Sequence, residues 1–144
     1  MPINFLLPFI VEPGRPYALR NMRNGRVLAH NVIGAFDSRA RRKGLLGRGA
    51  FADGQAMVIA PSNAIHTVGM KFPIDVAFVR RDGRILKCAP AVQPWRMAVA
   101  LRAYAVIELP GGALTRHDTK VGDVMTIVPA VSSVVDTSLT ERVG

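Results

Sequence analysis

The sequence predicts an all-β fold: a compact, antiparallel-rich sandwich or partly open barrel with one or two short helices. Three observations favour it: several short apolar runs, two hairpin turns at Asn24-Gly25 and Asp82-Gly83, and no regular alternation of strands with helices. With 144 residues, 49% of them hydrophobic, the chain is long enough to bury a core. We expect a single β-rich domain over residues 1–144, ending in a loosely attached tail at about 129–144.

The first predicted element is a hairpin. Two extended runs, Tyr17–Arg23 and Arg26–Ile33, flank Asn24-Gly25. Asn-Gly favours a two-residue hairpin turn in which both turn residues take positive φ. We therefore expect an antiparallel pair of strands here.

A short Arg-rich helix and a buried strand follow. Asp37 or Ser38 can cap a helix that runs over Ser38–Leu46, and Gly47 ends it, although Gly44 inside this run weakens helix propensity. Ala56–Ala60 is a continuous apolar run, which is typical of a buried strand.

The second hairpin is predicted around Asp82-Gly83. Its strands are Ile74–Val79, which begins after Pro73, and Ile85–Ala89. Proline cannot donate a ladder hydrogen bond and therefore marks a strand start or a sheet edge. Arg81 and Arg84 are expected to face each other across a two-residue turn.

Two further strands complete the domain. Tyr104–Leu109 is ended by Pro110-Gly111-Gly112, which is expected to form a tight turn. Val124–Val128 is introduced by Gly122-Asp123, a turn whose aspartate is expected to bond its own backbone. The segment Pro90–Pro94 is predicted to be a loop.

The charge is strongly basic and unevenly distributed. Nineteen Lys and Arg residues against ten Asp and Glu give a formal net charge of +9, and residues 13–52 hold nine basic residues and one acid, Asp37. Such a balance can indicate nucleic acid or an anionic membrane surface as a partner. The chain lacks the basic motifs of nucleic-acid-binding proteins, so we do not expect nucleic acid as its partner.

Cysteine content and the N-terminal segment indicate a cytoplasmic protein. The single cysteine, Cys88, cannot form an intrachain disulfide and suits a reducing compartment. Lys87 could lower its pKa, but a small core residue is the simpler interpretation. The apolar segment Ile3–Val11 is broken by Pro8 and is too short to span a bilayer, so no membrane association is expected.

Three blocks of sequence resemble the prokaryotic family known as domain of unknown function 192. They are Arg39–Arg48, Met70–Phe78 with the following Asp82-Gly83, and Val106–Gly112 with the following Gly122-Asp123. The resemblance implies a compact β-rich domain with a family-like core at about 38–128, and it brings no reaction, substrate or cofactor. Within these blocks we assign a structural role to Gly44, Phe72, Pro73, Asp82, Gly83, Pro110, Gly112, Gly122 and Asp123.

Five polar or soft side chains form a candidate pocket: His66, Thr67, Met70, Asp75 and Glu108. Two carboxylates in one cleft could perform general acid–base chemistry if their pKa values differed, and a His/Met pair would suit copper. No second pair of ligands accompanies it, so we expect neither a metal site nor a cofactor.

Each of these side chains also has a structural interpretation. His66 would be hydrogen-bonded to backbone at a strand end, and Asp75 would pair with an arginine from Arg39–Arg48. Glu108 lies on the same strand face as Val106, so its carboxylate points where apolar groups point.

The sequence therefore favours a non-catalytic binding or accessory domain, whose partner is a small anionic ligand or another protein. One alternative is an enzyme or metal-binding protein with a pocket built from His66, Asp75 and Glu108. The other is an anion or nucleic-acid binder that uses the basic N-terminal half.

Overall fold

The computed structural model describes residues 3–43 and 51–131 of the chain. The strands are β1 (Tyr17–Asn21), β2 (Val27–Ala29), β3 (Asn31–Ala35), β4 (Gln55–Ile59), β5 (Ala64–His66), β6 (Ile74–Val79), β7 (Ile85–Val92), β8 (Met97–Val99), β9 (Ala105–Pro110) and β10 (Met125–Pro129). The helices are α1 (Leu7–Val11), α2 (Ser38–Lys43) and α3 (Ala113–Arg116). Within these ranges, no helix combines the length and the apolar character needed to cross a bilayer.

The described strands form three open sheets. A five-stranded sheet has the order β3-β4-β9-β6-β7, a three-stranded sheet has the order β10-β1-β2, and β5 pairs with β8. The predicted all-β class is confirmed, and none of the three sheets closes into a barrel. The predicted helix end at Leu46 and Gly47, the structural role of Gly44 and the part of the predicted tail beyond residue 131 lie outside the described residues.

One strand pair departs from the antiparallel expectation. β3 and β4 run parallel, with Ile33 opposite Met57, and α2 lies in the connection between them. A parallel pair needs a crossover of a dozen or more residues, and the segment between the two strands is long enough to supply it. The helix over Ser38–Lys43 begins as expected, because the Asp37 side chain accepts the backbone N–H of Ala40 at 2.7 Å.

The five-stranded sheet buries both of its faces. One face packs against the three-stranded sheet, where Leu19 and Ile127 join a core cluster with Ala77 and Ile107. The opposite face carries a second cluster, formed by Met57, Ile59, Ile74, Val76, Phe78, Val106 and residues of the surrounding loops. Because successive residues of a strand point to opposite faces, neighbours along β6 and β9 enter different clusters.

Both predicted hairpins form, but neither has a two-residue turn. In the first, Asn21 N–H donates to Arg26 C=O and Gly25 N–H donates to Asn21 C=O, so the loop is longer than predicted. Gly25 takes a positive φ of 73°, whereas Asn24 does not, so the expected pair of positive φ angles is wrong. Asn24 instead donates from its side-chain amide to the C=O of His117 at 3.0 Å.

In the second hairpin, Arg80 N–H donates to Arg84 C=O and Gly83 N–H donates to Arg80 C=O. Arg84 therefore faces Arg80, and the expected Arg81–Arg84 pairing is wrong. The Asp82 carboxylate forms an ion pair with Arg80 at 2.6 Å. Gly83 has a φ of 88°, and a side chain there would collide with the backbone carbonyl of Met125. This position therefore requires glycine.

Candidate functional site

His66 lies in a surface cleft of about 530 Å³ between α2 and the strands β4 and β5. The cleft is lined by Ser38, Arg41, Ile59, Pro61, Ser62 and His66. We call it the Arg41–His66 cleft. Its lining combines a guanidinium, an imidazole and two hydroxyl groups, and none of these six residues is acidic.

The Arg41 guanidinium is held in place by Ser38 of its own helix and by Phe36, which precedes that helix. Nη1 donates to Phe36 C=O at 2.6 Å, and Nη2 donates to Ser38 Oγ at 3.3 Å. A guanidinium has five N–H donors in a planar fork, so donors remain that these two contacts do not use. The fixed orientation lowers the entropy lost when the guanidinium binds a ligand.

His66 is the last residue of β5, and it is exposed. The hydrogen bond to backbone expected for its side chain does not occur with any of the described residues. Ser62, on the same side of the cleft, donates its hydroxyl to Ala64 C=O at 3.0 Å. The imidazole is therefore the group on the β5 side of the cleft that can turn towards a ligand.

Thr67 is fully buried and works as a structural clamp. Its hydroxyl donates to Gln93 C=O at 2.7 Å and accepts the backbone N–H of Arg96 at 2.8 Å. Its backbone C=O accepts the N–H of Trp95 at 3.0 Å. These contacts fix the loop between β7 and β8.

Met70 and Phe72 pack into the hydrophobic cluster that also holds Ile65 and Phe78. Met70 is 8% exposed, so its thioether is a core contact in this structure. Within the described residues, no group of three or more His, Cys, Asp or Glu side chains is placed to hold a metal ion.

Asp75 is fully buried, and its carboxylate accepts three backbone N–H groups. Oδ1 accepts from Ala91 at 2.9 Å and from Gly112 at 3.1 Å, and Oδ2 accepts from Leu114 at 2.9 Å. Among the described residues, backbone groups thus occupy the place that we expected an arginine of Arg39–Arg48 to take. Three N–H donors satisfy a buried carboxylate without a cation.

Asp75 explains an irregularity between β6 and β7. Ile74 pairs with Val92 and Val76 pairs with Ala89, so two residues of β7, Pro90 and Ala91, stand opposite Asp75 alone. Proline has no N–H to donate, and the Ala91 N–H goes to the aspartate side chain. The carboxylate therefore replaces the ladder hydrogen bonds that the bulge interrupts.

Glu108 is also buried, at 5% exposure, between Met57 of β4 and Val76 of β6. Burial raises the pKa of its carboxyl group to about 7. Its Oε2 atom has no hydrogen-bond partner among the described residues. The expectation that Glu108 and Val106 share an apolar face agrees with this position, because Val106 belongs to the same side of the sheet.

The structure does not bring the two carboxylates together. Glu108 is opposite Val76 in the β6–β9 pair, and Asp75 is opposite Leu109. Their side chains consequently leave the sheet on opposite faces. The five residues of the candidate pocket are therefore distributed over a surface cleft, a buried loop clamp and both faces of one sheet.

At the predicted turn Gly122-Asp123, the buried Asp123 forms an ion pair with the exposed Arg23, which the sequence did not reveal. Asp123 accepts from Arg23 Nε at 2.7 Å, from Asn21 Nδ2 at 2.8 Å and from the backbone N–H of Lys120 at 3.0 Å. Burial alone would raise the pKa of Asp123, but the hydrogen bonds from Arg23 and Asn21 outweigh it and lower the pKa to about 2. Spacing could not indicate this pair, because its members lie 100 residues apart.

Cys88 is half-buried on β7. Burial raises the pKa of its thiol to about 11, and the charges of Asp123 and Asp75 act in the same direction. From the sequence, we considered that the neighbouring Lys87 could lower the pKa of Cys88. The pKa of this thiol is instead raised.

The fold and these contacts define a small all-β domain with a mixed central sheet. The family model of DUF192, described as "Uncharacterized ACR", matches residues 20–127. The chain belongs to this family, as the three sequence blocks predicted. A search of curated proteins finds no match.

Two solved structures share the fold. One is a protein of unknown function from Novosphingobium aromaticivorans DSM 12444, with 25% identity, a TM-score of 0.66, and coverage of 76% of this chain and 82% of the other. The second, from Sinorhizobium meliloti 1021, is described as a proposed transcription regulator. It has 22% identity and a TM-score of 0.69, with coverage of 79% of this chain and 95% of the other.

Proposed function

We propose that this chain is a non-catalytic binding domain that holds an anionic group of a small ligand in the Arg41–His66 cleft. The observation that carries the proposal is the convergence of the Arg41 guanidinium and the His66 imidazole on one cleft whose described lining contains no acid. Arginine binds carboxylate and phosphate groups through paired N–H donors. The net charge of +9 attracts anions towards the surface as a whole.

The geometry gives less support to a pocket that combines His66, Asp75 and Glu108. Asp75 and Glu108 leave opposite faces of the sheet. The hydroxyl of Thr67, beside His66, is already engaged by backbone groups. In the described part of the chain, the side chains that an enzyme or a metal-binding protein would need are therefore not brought together in one pocket.

The experiment is a titration of the purified protein with inorganic phosphate and with pyrophosphate, followed by isothermal calorimetry and by the amide and imidazole signals of an NMR spectrum. We expect binding with a Kd of about 1 mM or tighter, with signal shifts centred on His66 and Arg41. Arg41→Gln should weaken binding about 10-fold, because it removes one charge-assisted contact.

Arg39→Gln is the matched control. Arg39 lies on the same helix and is exposed, but it is not part of the cleft lining, so this variant changes the net charge by the same amount. Equal weakening by both variants would show that overall charge, and not the cleft, attracts the anion. Absence of phosphate binding would contradict the proposal directly.

A duplex DNA oligonucleotide provides the remaining arm of the experiment. Nucleic-acid binding would be strongly salt-dependent and spread over many basic residues. If the protein bound DNA but not phosphate, and Arg39→Gln and Arg41→Gln weakened it equally, the alternative of a nucleic-acid binder would replace the cleft proposal.

A further inference from the structure

A stripe of exposed apolar side chains runs along β8 and its flanks, and one of its residues, Met97, is opposite His66 in the β5–β8 pair. Trp95, Met97, Val99 and Leu101 are 66%, 73%, 36% and 82% exposed. They alternate with Arg96, Ala98, Ala100 and Arg102, and the alanines pack against the core. A contiguous exposed apolar patch of this kind marks an interaction site more often than scattered apolar residues do.

The backbone holds this stripe in place. Trp95 has a φ of 65°, in the left-handed region that a bulky residue rarely adopts. Its N–H donates to Thr67 C=O, and the Thr67 hydroxyl accepts the next N–H, from Arg96. The buried clamp thus keeps the tryptophan ring on the surface.

The strand β8 also has an open edge. Hydrogen bonds between Thr67 and Arg96 and between Asn63 and Ala100 fix the pairing with β5, in which Ile65 is opposite Ala98. In an antiparallel pair the hydrogen-bonded and non-hydrogen-bonded positions alternate. The backbone N–H and C=O groups of Met97 and Val99 therefore point away from β5.

These groups face a groove of about 630 Å³ between β8 and β7, which is itself the edge strand of the five-stranded sheet. On the β7 side, Ala89, Ala91 and Val92 are among the residues that line it. At one end, Lys87 Nζ donates to Val99 C=O at 2.9 Å. A side chain thus occupies one backbone acceptor that a strand could use.

The charges around the groove favour one kind of occupant. Lys87 and Arg96 belong to its lining, no acidic residue does among those that the structure describes, and Arg102 follows the end of the stripe. If a second copy of the chain bound here, the cations of the two copies would lie close together. Their repulsion disfavours self-association. A lipid surface would leave the N–H and C=O groups of the open edge without partners.

We propose that the open edge of β8 binds an extended segment of a partner protein, in which apolar residues alternate with acidic or polar ones. The segment adds a strand beside Met97 and Val99, its apolar side chains cover Trp95, Met97 and Leu101, and its carboxylates meet Lys87 and Arg96. The open edge is on the side of β8 that faces away from β5, although Met97 itself is opposite His66 of the anion cleft in the β5–β8 pair.

The test is selection of peptides from a random phage-displayed library on the immobilised full-length protein, followed by affinity measurement with the selected synthetic peptides. We expect acidic peptides with alternating apolar residues. Met97→Ser and Leu101→Ser should each weaken them at least 10-fold, and Lys87→Glu with Arg96→Glu should abolish the preference for acidic residues. Val121→Ser, which alters another exposed apolar residue, is the control and should leave affinity unchanged.

Val99→Pro tests the strand addition itself, because it removes an N–H that points to the open edge and should weaken binding at least 10-fold. If this variant fails to fold by circular dichroism, Met97→Ser and Leu101→Ser still decide the question. Failure to enrich any peptide, or enriched peptides that ignore these substitutions, would overturn the proposal.

Two further results would also overturn it. One is dimerisation of the wild-type protein in sedimentation that Met97→Ser abolishes. The other is binding to phosphatidylserine vesicles that Met97→Ser abolishes, while no peptide binds.

Discussion

Asp75 and Glu108 lie one register position apart on adjacent strands, and their carboxyl groups point to opposite faces of the same sheet. The two groups also meet opposite conditions. Asp75 accepts three backbone N–H groups, whereas Glu108 is surrounded by apolar side chains and keeps one oxygen without a partner among the described residues. Two buried acids in one sheet therefore have different consequences for stability.

Asp75→Asn should destabilise the fold by about 2–3 kcal/mol, because an amide has one oxygen for three N–H donors and its NH₂ group would face a donor. The unfolding free energy from urea denaturation measures this change. Asp53→Asn is the control: Asp53 forms an exposed ion pair with Arg116, and its loss should change stability by less than about 1 kcal/mol. Equal effects of the two substitutions would contradict the role assigned to Asp75.

Glu108→Gln should remove a pH dependence. The pKa of Glu108 is about 7 in the folded protein and lower in the unfolded chain, where a glutamate has its ordinary value of 4.5. Its contribution is therefore most favourable below about pH 4.5 and is lost as the pH rises through about 7. The wild type should lose roughly 3 kcal/mol from this group across that window.

Urea denaturation of wild type and Glu108→Gln at a series of pH values tests this prediction. The variant should gain stability relative to the wild type as the pH rises, since its amide does not ionise. Glu12→Gln, at an exposed ion pair, is the control and should follow the wild-type curve. Parallel curves for Glu108→Gln and the wild type would contradict the prediction.

Asp123 should also make the stability of the fold depend on pH, but in the acid range and in the opposite direction to Glu108. Its pKa is lowered to about 2 from the ordinary value of 3.8, so its contribution is present above about pH 4 and is lost as the pH falls towards 2. Asp123→Asn should cost about 1–3 kcal/mol at neutral pH. The difference from wild type should close near pH 2, as followed by thermal unfolding.

Arg23→Gln separates the ion pair from the rest of the Asp123 network. It removes the cation but leaves the hydrogen bonds from Asn21 and Lys120. We expect a smaller loss than for Asp123→Asn, with the same direction of pH dependence. A difference between Asp123→Asn and wild type that stayed constant down to pH 2 would contradict this account.

Local patterns in the sequence predicted the strands well, because alternation and turn residues act over a few positions. The strand after Pro73, the Asp82-Gly83 hairpin and the cap at Asp37 all occur. The short strand β8 was missed, since three residues give too little alternation to recognise, and β5 was anticipated only through the strand end expected at His66. Along Trp95–Leu101 most of the exposed residues are large and apolar, and the alanines between them pack against the core. Hydrophobicity alone therefore does not indicate which face is buried.

The candidate site could be predicted only in part, because its geometry depends on strand register. Sequence order places Asp75 and Glu108 in apolar strands but cannot say that Val76 is the residue opposite Glu108. Similarly, the basic run around Arg41 and the residues near His66 could each be recognised, but not their meeting in one cleft. That contact requires the parallel pairing of β3 with β4, which the sequence did not predict.

The pairing of β1 with β10 has a consequence for synthesis on the ribosome. Leu19 is opposite Ile127, so one edge of β1 stays unpaired until β10 has been synthesised, about 100 residues later. At roughly 5–20 residues per second, this edge stays unpaired for about 5–20 s. During that interval Tyr17, Ala18 and Leu19, all buried in the finished domain, form an apolar strand that a neighbouring nascent chain could pair with. Slower translation would lengthen this exposure and lower the soluble yield.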